Sequence, residues 1–244
     1  QHTHDGAKAP RLPSFNEGDV SDKPPWIRSL PRLSANQIAQ IDNRHENRVE
    51  TLQALDDLVE GVVDKLRAEE ALRNTYVVFT SDNGWQEGEH RIPKEKTQPY
   101  EESSRVPLII RGPGVQADSA THNLALNTDY LPTFTDLAGI PTPSYVDGRS
   151  LQPVLNGSAT TWRSAILMER RNDGDASFYG IRASGGRKYL EYGGGFRELY
   201  DLESDPYELA NSYNTSSPPA DLAARLDALK SCSGDTCRAA ENGQ

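Results

Sequence analysis

The feature that most constrains the fold lies between residues 34 and 84, where the chain changes its hydrophobic period. Leu52, Leu55, Val59, Val62, Val63 and Leu66 recur at spacings of three and four, with Glu50, Asp57, Glu60 and Lys65 between them. That spacing puts the apolar groups on one face of a helix and the charges on the other. Ser34 suits the N-cap, and the pattern is strongest up to about Leu72. The period then gives way to Thr75-Tyr76-Val77-Val78-Phe79-Thr80, an unbroken β-branched and aromatic run. Such a run predicts a strand buried on both faces, as in a parallel sheet. Ser81-Asp82-Asn83-Gly84 stops it. Val106 to Ile110 forms a second run, closed by Arg111-Gly112-Pro113-Gly114, and Thr128 to Ala138 predicts a helix capped by Thr128 and stopped by Gly139. Helix, strand, loop, strand and helix in succession describe an α/β layered fold.

Beyond Leu155 the pattern changes again. Ala165–Glu169, Phe178–Ala183, Lys188–Tyr192 and Glu198–Leu202 predict four short strands separated by Gly-rich or Asn/Asp-rich turns. Their close spacing predicts an antiparallel meander, followed by a helix from Pro219 to Lys230. The expected division is therefore an α/β part over residues 1–155 and a small α+β domain, an antiparallel sheet plus helix, over 156–244. Residues 1–35, with Pro10, Pro13, Pro24, Pro25 and Pro31, read as an extended, irregular segment.

Charge and cysteine usage narrow the class of partner. Asp and Glu outnumber Lys and Arg 36 to 26, which argues against nucleic acid and against an anionic membrane surface. No apolar run approaches the roughly 20 residues of a spanning helix. Cys232 and Cys237 are separated by Ser233-Gly234-Asp235-Thr236, a spacing that permits a disulfide; two unpaired thiols are the alternative. A disulfide points to an oxidising compartment, whether secreted, periplasmic or lysosome-like. The sequons at Asn156-Gly157-Ser158 and Asn214-Thr215-Ser216 are compatible with secretion. The chain opens on Gln1 and contains a single methionine, Met168, so a processed chain or a fragment is expected.

The loop after Thr80 concentrates the chemistry. Open α/β sheets bind ligands beyond the carboxyl ends of their strands. Asp82 and Asn83 offer hard oxygen atoms there, suited to Ca²⁺ or Mg²⁺; an Asp-Asn-Gly turn is the plainer alternative. His90, Lys94 and Lys96 follow within the same loop, as an anion-binding group or as a solvated charge cluster. Trp85 is placed to line a substrate pocket. His45 falls on the polar side of the long helix and reads as a surface residue, His122 lies in a loop without an evident partner, and Trp26 and Trp162 read as packing or edge residues.

Several ordered motifs resemble one family. Leu55-Asp56-Asp57, Asn74 through Gly84, Gly88-Glu89-His90, Lys96, Tyr100-Glu101-Glu102 and Arg105 through Gly114 are similar to the formylglycine-dependent type I sulfatases of the alkaline-phosphatase-like superfamily. The spacing from Asp82 to Lys96 and Tyr100-Glu101 is similar to that in N-acetylglucosamine-6-sulfatases and related arylsulfatases. The resemblance continues through Asp129-Tyr130-Leu131-Pro132-Thr133, Leu137-Ala138-Gly139 and Asp147-Gly148-Arg149-Ser150-Leu151. Glu198 to Leu202 and Asp205-Pro206 resemble the family's small C-terminal domain.

The resemblance implies roles. Asp82 and Asn83 take the place of the second pair of ligands to a divalent cation, usually Ca²⁺, and Lys96 that of the lysine on the sulfate group. His90 is a supporting substrate-binding residue. Thr3-His4 resembles the segment whose histidine protonates the leaving alcohol, a task suited to imidazole near neutral pH. Gly6 replaces the family's proline, so His4 and His2 both remain candidates, as does a plain chain-end histidine. The Cys-x-Pro-x-Arg or Ser-x-Pro-x-Arg motif that yields formylglycine is absent, as is the first aspartate pair; Asp56-Asp57 belongs to the helix. The expectation is the latter part of a sulfatase, inactive alone and with an incomplete Ca²⁺ site. It is completed by a missing N-terminal segment of the same protein and acts on a sulfated small molecule or glycan. Phosphodiester or phosphonate hydrolysis by the same superfamily, and a non-catalytic anion-binding module, are the alternatives.

Overall fold

A computed structural model describes residues 4–171 and 173–243. His2 therefore lies outside the described residues. The chain falls into two compact units, residues 1–113 and 114–244.

The first unit is organised around one long helix. After a short helix α1 (Pro25–Arg28) comes α2 (Ala35–Ala68). Ser34 caps α2 reciprocally: its hydroxyl accepts from the Gln37 amide, and the Gln37 side chain accepts from the Ser34 amide. Ile41 is the buried residue of α2 and packs with Ala9 and Leu33. Half of the apolar stripe is uncovered: Leu52, Val59 and Val62 are 55%, 36% and 46% exposed, while Leu55, Val63 and Leu66 are half-buried. The helix ends four residues before Leu72, because Glu70 takes a positive φ and the Ala71 amide folds back onto the Leu66 carbonyl.

β1 (Val77–Thr80) follows and pairs with β2 (Leu108–Arg111), with α3 (Glu101–Ser104) between them. This corrects the expectation of a strand buried on both faces of a parallel sheet. The pair is antiparallel, Val77 opposite Arg111 and Thr80 opposite Leu108, and β1 is half-buried throughout. The intervening loop turns back on itself. The amides of Gly84 and Trp85 donate to the carbonyls of Ser103 and Glu102, so the chain returns antiparallel to the way it left.

The second unit contains the predicted meander. β3 (Ala165–Arg170), β4 (Phe178–Ala183), β5 (Arg187–Tyr192) and β6 (Arg197–Asp201) lie in sequence order, every pair antiparallel. Before the sheet come α4 (Tyr130–Leu137) and α5 (Gln152–Leu155). α4 starts two residues later than predicted, at the expense of the Thr128 cap, because Asn127–Asp129 forms a 3₁₀ turn. Gly139, at φ +67°, ends it as predicted. α6 (Ala220–Ser231) buries Leu222, Leu226 and Leu229 against Ala165, Ile181, Ala183 and Tyr189. A helix absent from the sequence reading, α7 (Asp235–Asn242), adds Ala240 to that core. Cys232 and Cys237 are joined by a disulfide with the Cα atoms 4.7 Å apart.

Residues 114–155 belong to this second compact unit, whereas the sequence groups them with the α/β part. Asp129 explains the difference. Its carboxylate accepts from the amides of Leu126 and Arg149 and holds the Arg163 guanidinium through two bonds of 2.9 and 2.6 Å. Arg149 in turn bonds Glu241 of α7 at 2.7 Å.

Candidate functional site

Thr80 is the last residue of β1, and Ser81 begins the loop that carries the candidate ligands. Asp82 is exposed directly beyond the strand. The Ser81 hydroxyl donates to the Asn83 carbonyl and the Asn83 side-chain nitrogen to the Gly84 carbonyl, which leaves Asn83 Oδ1 as the group able to meet a ligand. Only glycine fits at Gly84: a Cβ would stand 2.1 Å from the Glu102 carbonyl oxygen. The turn and the ligand reading of Asp82-Asn83-Gly84 are thus compatible, since glycine makes the close return and leaves both oxygens at the strand's end.

The far end of the loop carries Lys96. Its amide donates to Glu95 Oε1, and Gln86 bridges to Glu95. The Lys96 ammonium is exposed and has no ion-pair partner among the described residues.

Between these two ends the loop is buried. Gln86, Glu87, Glu89 and His90 are each under 9% exposed. His90, expected to touch substrate, lies wholly inside. Its Nδ1 is 2.7 Å from Glu17 Oε2 and its ring centroid 4.1 Å from that of Tyr100. Glu17 also lies 3.7 Å from the buried Lys23 ammonium. The His90 amide donates to Ser14, and Arg91 donates to the carbonyls of Glu17, Gly18 and Leu30. His90 therefore braces the loop from within, because its neighbours fill every approach from solvent.

Helix α2 clamps the other side. His45 Nδ1 is 2.7 Å from Glu87 Oε2, and Arg48 reaches Glu87 Oε1 at 3.1 Å while lying 5.0 Å from the Trp85 ring. Arg44 donates to the Pro93 carbonyl. His45, read from sequence as a surface residue, is half-buried and ties the helix to the loop. The available signal was Arg44, His45 and Arg48 at spacings of one, three and four on the helix's polar side. Trp85 is half-buried, with its indole nitrogen buried and unpartnered. Burial pushes the Glu89 carboxyl upward, opposed by the Glu87 amide it accepts from and reinforced by Glu102 and Glu87.

Other expected residues stand apart. His4 is exposed in a turn whose carbonyl accepts from Ala7, and among the described residues nothing brings it to Asp82 or Lys96. His122 is exposed. Trp162 donates to the Leu124 carbonyl and packs near Arg149 and Arg163, as a packing residue does. Among the described residues, Asp5, Glu46 and Glu50 form a group of three carboxylates close enough to share an ion; Glu46 already accepts from the Gly6 amide. Asp82 and Asn83 present oxygen donors of the right hardness for Ca²⁺, but two side chains fall short of the six to eight oxygens such an ion takes.

Two family comparisons cover this region. Residues 2–140 match the family described as sulfatase, and residues 88–231 the one described as N-sulphoglucosamine sulphohydrolase, C-terminal. The chain is 35% identical over 238 residues to a protein named sulfatase ppz1 from Metarhizium majus, covering 95% of this chain and 54% of the relative. It is 33% identical to the N-acetylglucosamine-6-sulfatase of Bos taurus, covering 98% and 49%. A protein solved with its substrate D-glucosamine-2-N,6-O-disulfate superposes with a TM-score of 0.74 at 27% identity, covering 87% of this chain and 44% of that one. The chain thus spans about half the length of the curated relatives it matches.

Proposed function

The chain belongs to the sulfatase family, and from that premise we propose that it supplies one side of a sulfate-ester hydrolase site. Asp82 and Asn83 hold the divalent cation, Ca²⁺ by family resemblance, and Lys96 meets a non-bridging sulfate oxygen. The observation that carries this reading is the unpaired Lys96 ammonium and the Asp82 and Asn83 oxygens at opposite ends of one internally braced loop.

A bound cation would polarise a sulfate oxygen. Lys96 places positive charge where negative charge redistributes as the ester bond breaks. His4, or His2, holds the proton for the leaving alcohol. No Cys-x-Pro-x-Arg or Ser-x-Pro-x-Arg motif occurs in the sequence, so the attacking group comes from polypeptide outside these 244 residues. The exposed part of the α2 stripe, Leu52, Val59 and Val62, favours packing against such a segment. The substrate class is a sulfated sugar of the glucosamine type, in line with the ligand of the superposed protein. The disulfide fits an exported protein.

Two measurements test the proposal. In a polypeptide joining this chain to a formylglycine segment, Lys96→Ala and Asp82→Ala each abolish hydrolysis of nitrocatechol sulfate. The 244-residue chain alone gives no turnover and binds Ca²⁺ no better than roughly the millimolar class. Turnover by the chain alone that Lys96→Ala removes, or a micromolar Ca²⁺ site lost in Asp82→Ala, would overturn the division of labour.

A further inference from the structure

The two sequons have a geometry that the sulfate chemistry does not use. Asn156 follows α5, where Gly157 at φ +73° turns the chain away. Asn214 lies in the turn before Pro218, Pro219 and α6, with the Ser217 amide donating to its carbonyl. Both asparagines and both sequon serines, Ser158 and Ser216, are exposed.

The side chains are held alike. Asn156 Oδ1 accepts from the Ser158 amide at 3.0 Å, and Asn214 Oδ1 from the Ser216 amide at 2.8 Å. Each is an Asx turn, in which the side chain imitates a backbone turn. Donation to Oδ1 draws electron density from the carboxamide and makes its N–H protons easier to remove. Among the described residues neither Nδ2, nor either serine hydroxyl, has a partner. Asn211 provides the contrast within the same stretch: its Nδ2 donates to the Arg197 carbonyl and its Oδ1 accepts from Leu199 and Tyr213. Asn211 is consumed by structure, whereas Asn156 and Asn214 offer a free nucleophilic nitrogen beside a free hydroxyl, at turns where a bulky adduct meets only solvent.

We propose that Asn156 and Asn214 are N-glycosylation sites, each carrying an oligosaccharide transferred from a lipid-linked oligosaccharide diphosphate. The Nδ2–C1 bond forms and the C1–O bond to the diphosphate breaks. The lipid diphosphate leaves, and one amide proton passes to a base of the transferase. The assignment rests on export, not on sulfatase chemistry, so site occupancy and enzymatic activity fail independently.

The test is secretion of the full chain from a eukaryotic host, followed by digestion with peptide-N-glycosidase in ¹⁸O water and peptide mass mapping. The heavy label separates enzymatic release from spontaneous deamidation, which matters at Asn156-Gly157. The expected result is ¹⁸O-aspartate at positions 156 and 214 and a two-step fall in apparent mass. Asn156→Gln and Asn214→Gln each remove one step. Ser158→Ala and Ser216→Ala do the same while keeping the Asx turns, which covers the case of a variant that folds poorly. Secreted chain with both asparagines unlabelled would overturn the proposal, and label at one position alone would overturn the assignment of the other.

Discussion

The interior around β3–β6 and the interior beneath the 81–102 loop are built on opposite principles. In the first, Leu222, Leu226 and Leu229 of α6 close over Ala165, Ile181 and Tyr189, and burial of apolar area from water drives the packing. In the second, the buried polar groups are Ser14, Glu17, Lys23, Gln86, Glu87, Glu89 and His90, with Ile92 and Tyr100 among them, and the apolar cluster beside them is the small set of Ala9, Leu33 and Ile41. Polar groups gain little on net burial but are costly when left unmatched. The first interior is therefore stable by quantity of contact, whereas the second ties one loop through charged pairs such as His90 with Glu17 and His45 with Glu87, while the Trp85 indole nitrogen, the Gln86 amide and His90 Nε2 stay buried without a partner. A loop that must hold Asp82 and Lys96 at set positions gains more from the second kind.

The comparison breaks most severely where the second unit itself buries charge, at Asp129 with Arg163 and again at Lys188 with Glu208. Asp129 and Arg163 are both fully buried and doubly bonded. Burial raises the pKa of neighbouring Glu241, while Arg163 and Arg149 hold it down. Arg163→Ala leaves the buried Asp129 carboxylate with only the Leu126 and Arg149 amides, at a cost of about 3–5 kcal/mol. Denaturant unfolding monitored on the second unit should show that loss, and a change below about 1 kcal/mol would mean that water replaces the guanidinium.

Leucine truncation separates the two units next. Leu226→Ala opens a cavity in a closed core and should cost about 2–5 kcal/mol. Leu52→Ala, at 55% exposure on α2, should stay within about 0.5 kcal/mol in this chain. Equal losses at the two sites would show that the α2 stripe is covered in solution.

Legibility in the sequence follows the same division. The meander of the second unit could be read closely because local rules decide it: each strand is short and bounded by turn residues. Phe178–Ala183 is observed with the predicted limits, and the other strands shift by one residue at one or both ends. The pairing of β1 with β2 was not legible, since an unbroken Val-Val-Phe run fits either strand direction; the close return at Gly84 decides it through contacts 18 and 19 residues apart. For the site, the loop and its exposed ends, Asp82 and Lys96, stand out as residue types. The bracing pairs do not: His90 meets Glu17 and His45 meets Glu87 across more than 40 residues, and no local period encodes such partners. α7 escaped because Asp235-Thr236-Cys237-Arg238 resembles a disulfide loop more than a helix start.

The polar interior should respond to loss of one bracing group with a smaller fall than either cut above. His90→Ala removes the ring tilted against Tyr100 and leaves Glu17 with Lys23 as its charged neighbour. The expected cost is roughly 1–3 kcal/mol, with faster amide exchange at Gly88 and His90, whose donors reach the Ile92 and Ser14 carbonyls. Unchanged exchange there would show that Arg91 alone anchors the loop.

The smallest expected effect is the most diagnostic of a polar interior, because it has a sign that an apolar core cannot give. Burial holds the Glu89 carboxyl above its ordinary value of 4.5, and Glu102 and Glu87 add to that. A raised carboxyl binds its proton more tightly in the folded chain than in the unfolded one. Stability from this group is thus greatest at and below its ordinary value, and is lost as pH rises through the folded value. Above that folded value the protein carries a nearly buried carboxylate that burial and its acidic neighbours disfavour. Glu89→Gln removes that charge while its amide oxygen can still accept from the Glu87 amide, now held at 2.5 Å. The variant should melt slightly higher than the parent at pH 7, and the gap should close toward pH 4. Carboxylates distant from Glu89 titrate alike in both proteins and cancel in the difference. A variant that melts lower at pH 7, by a margin independent of pH, would mean that Glu89 acts through its shape and hydrogen bonds, and that the charge beneath the loop is already matched.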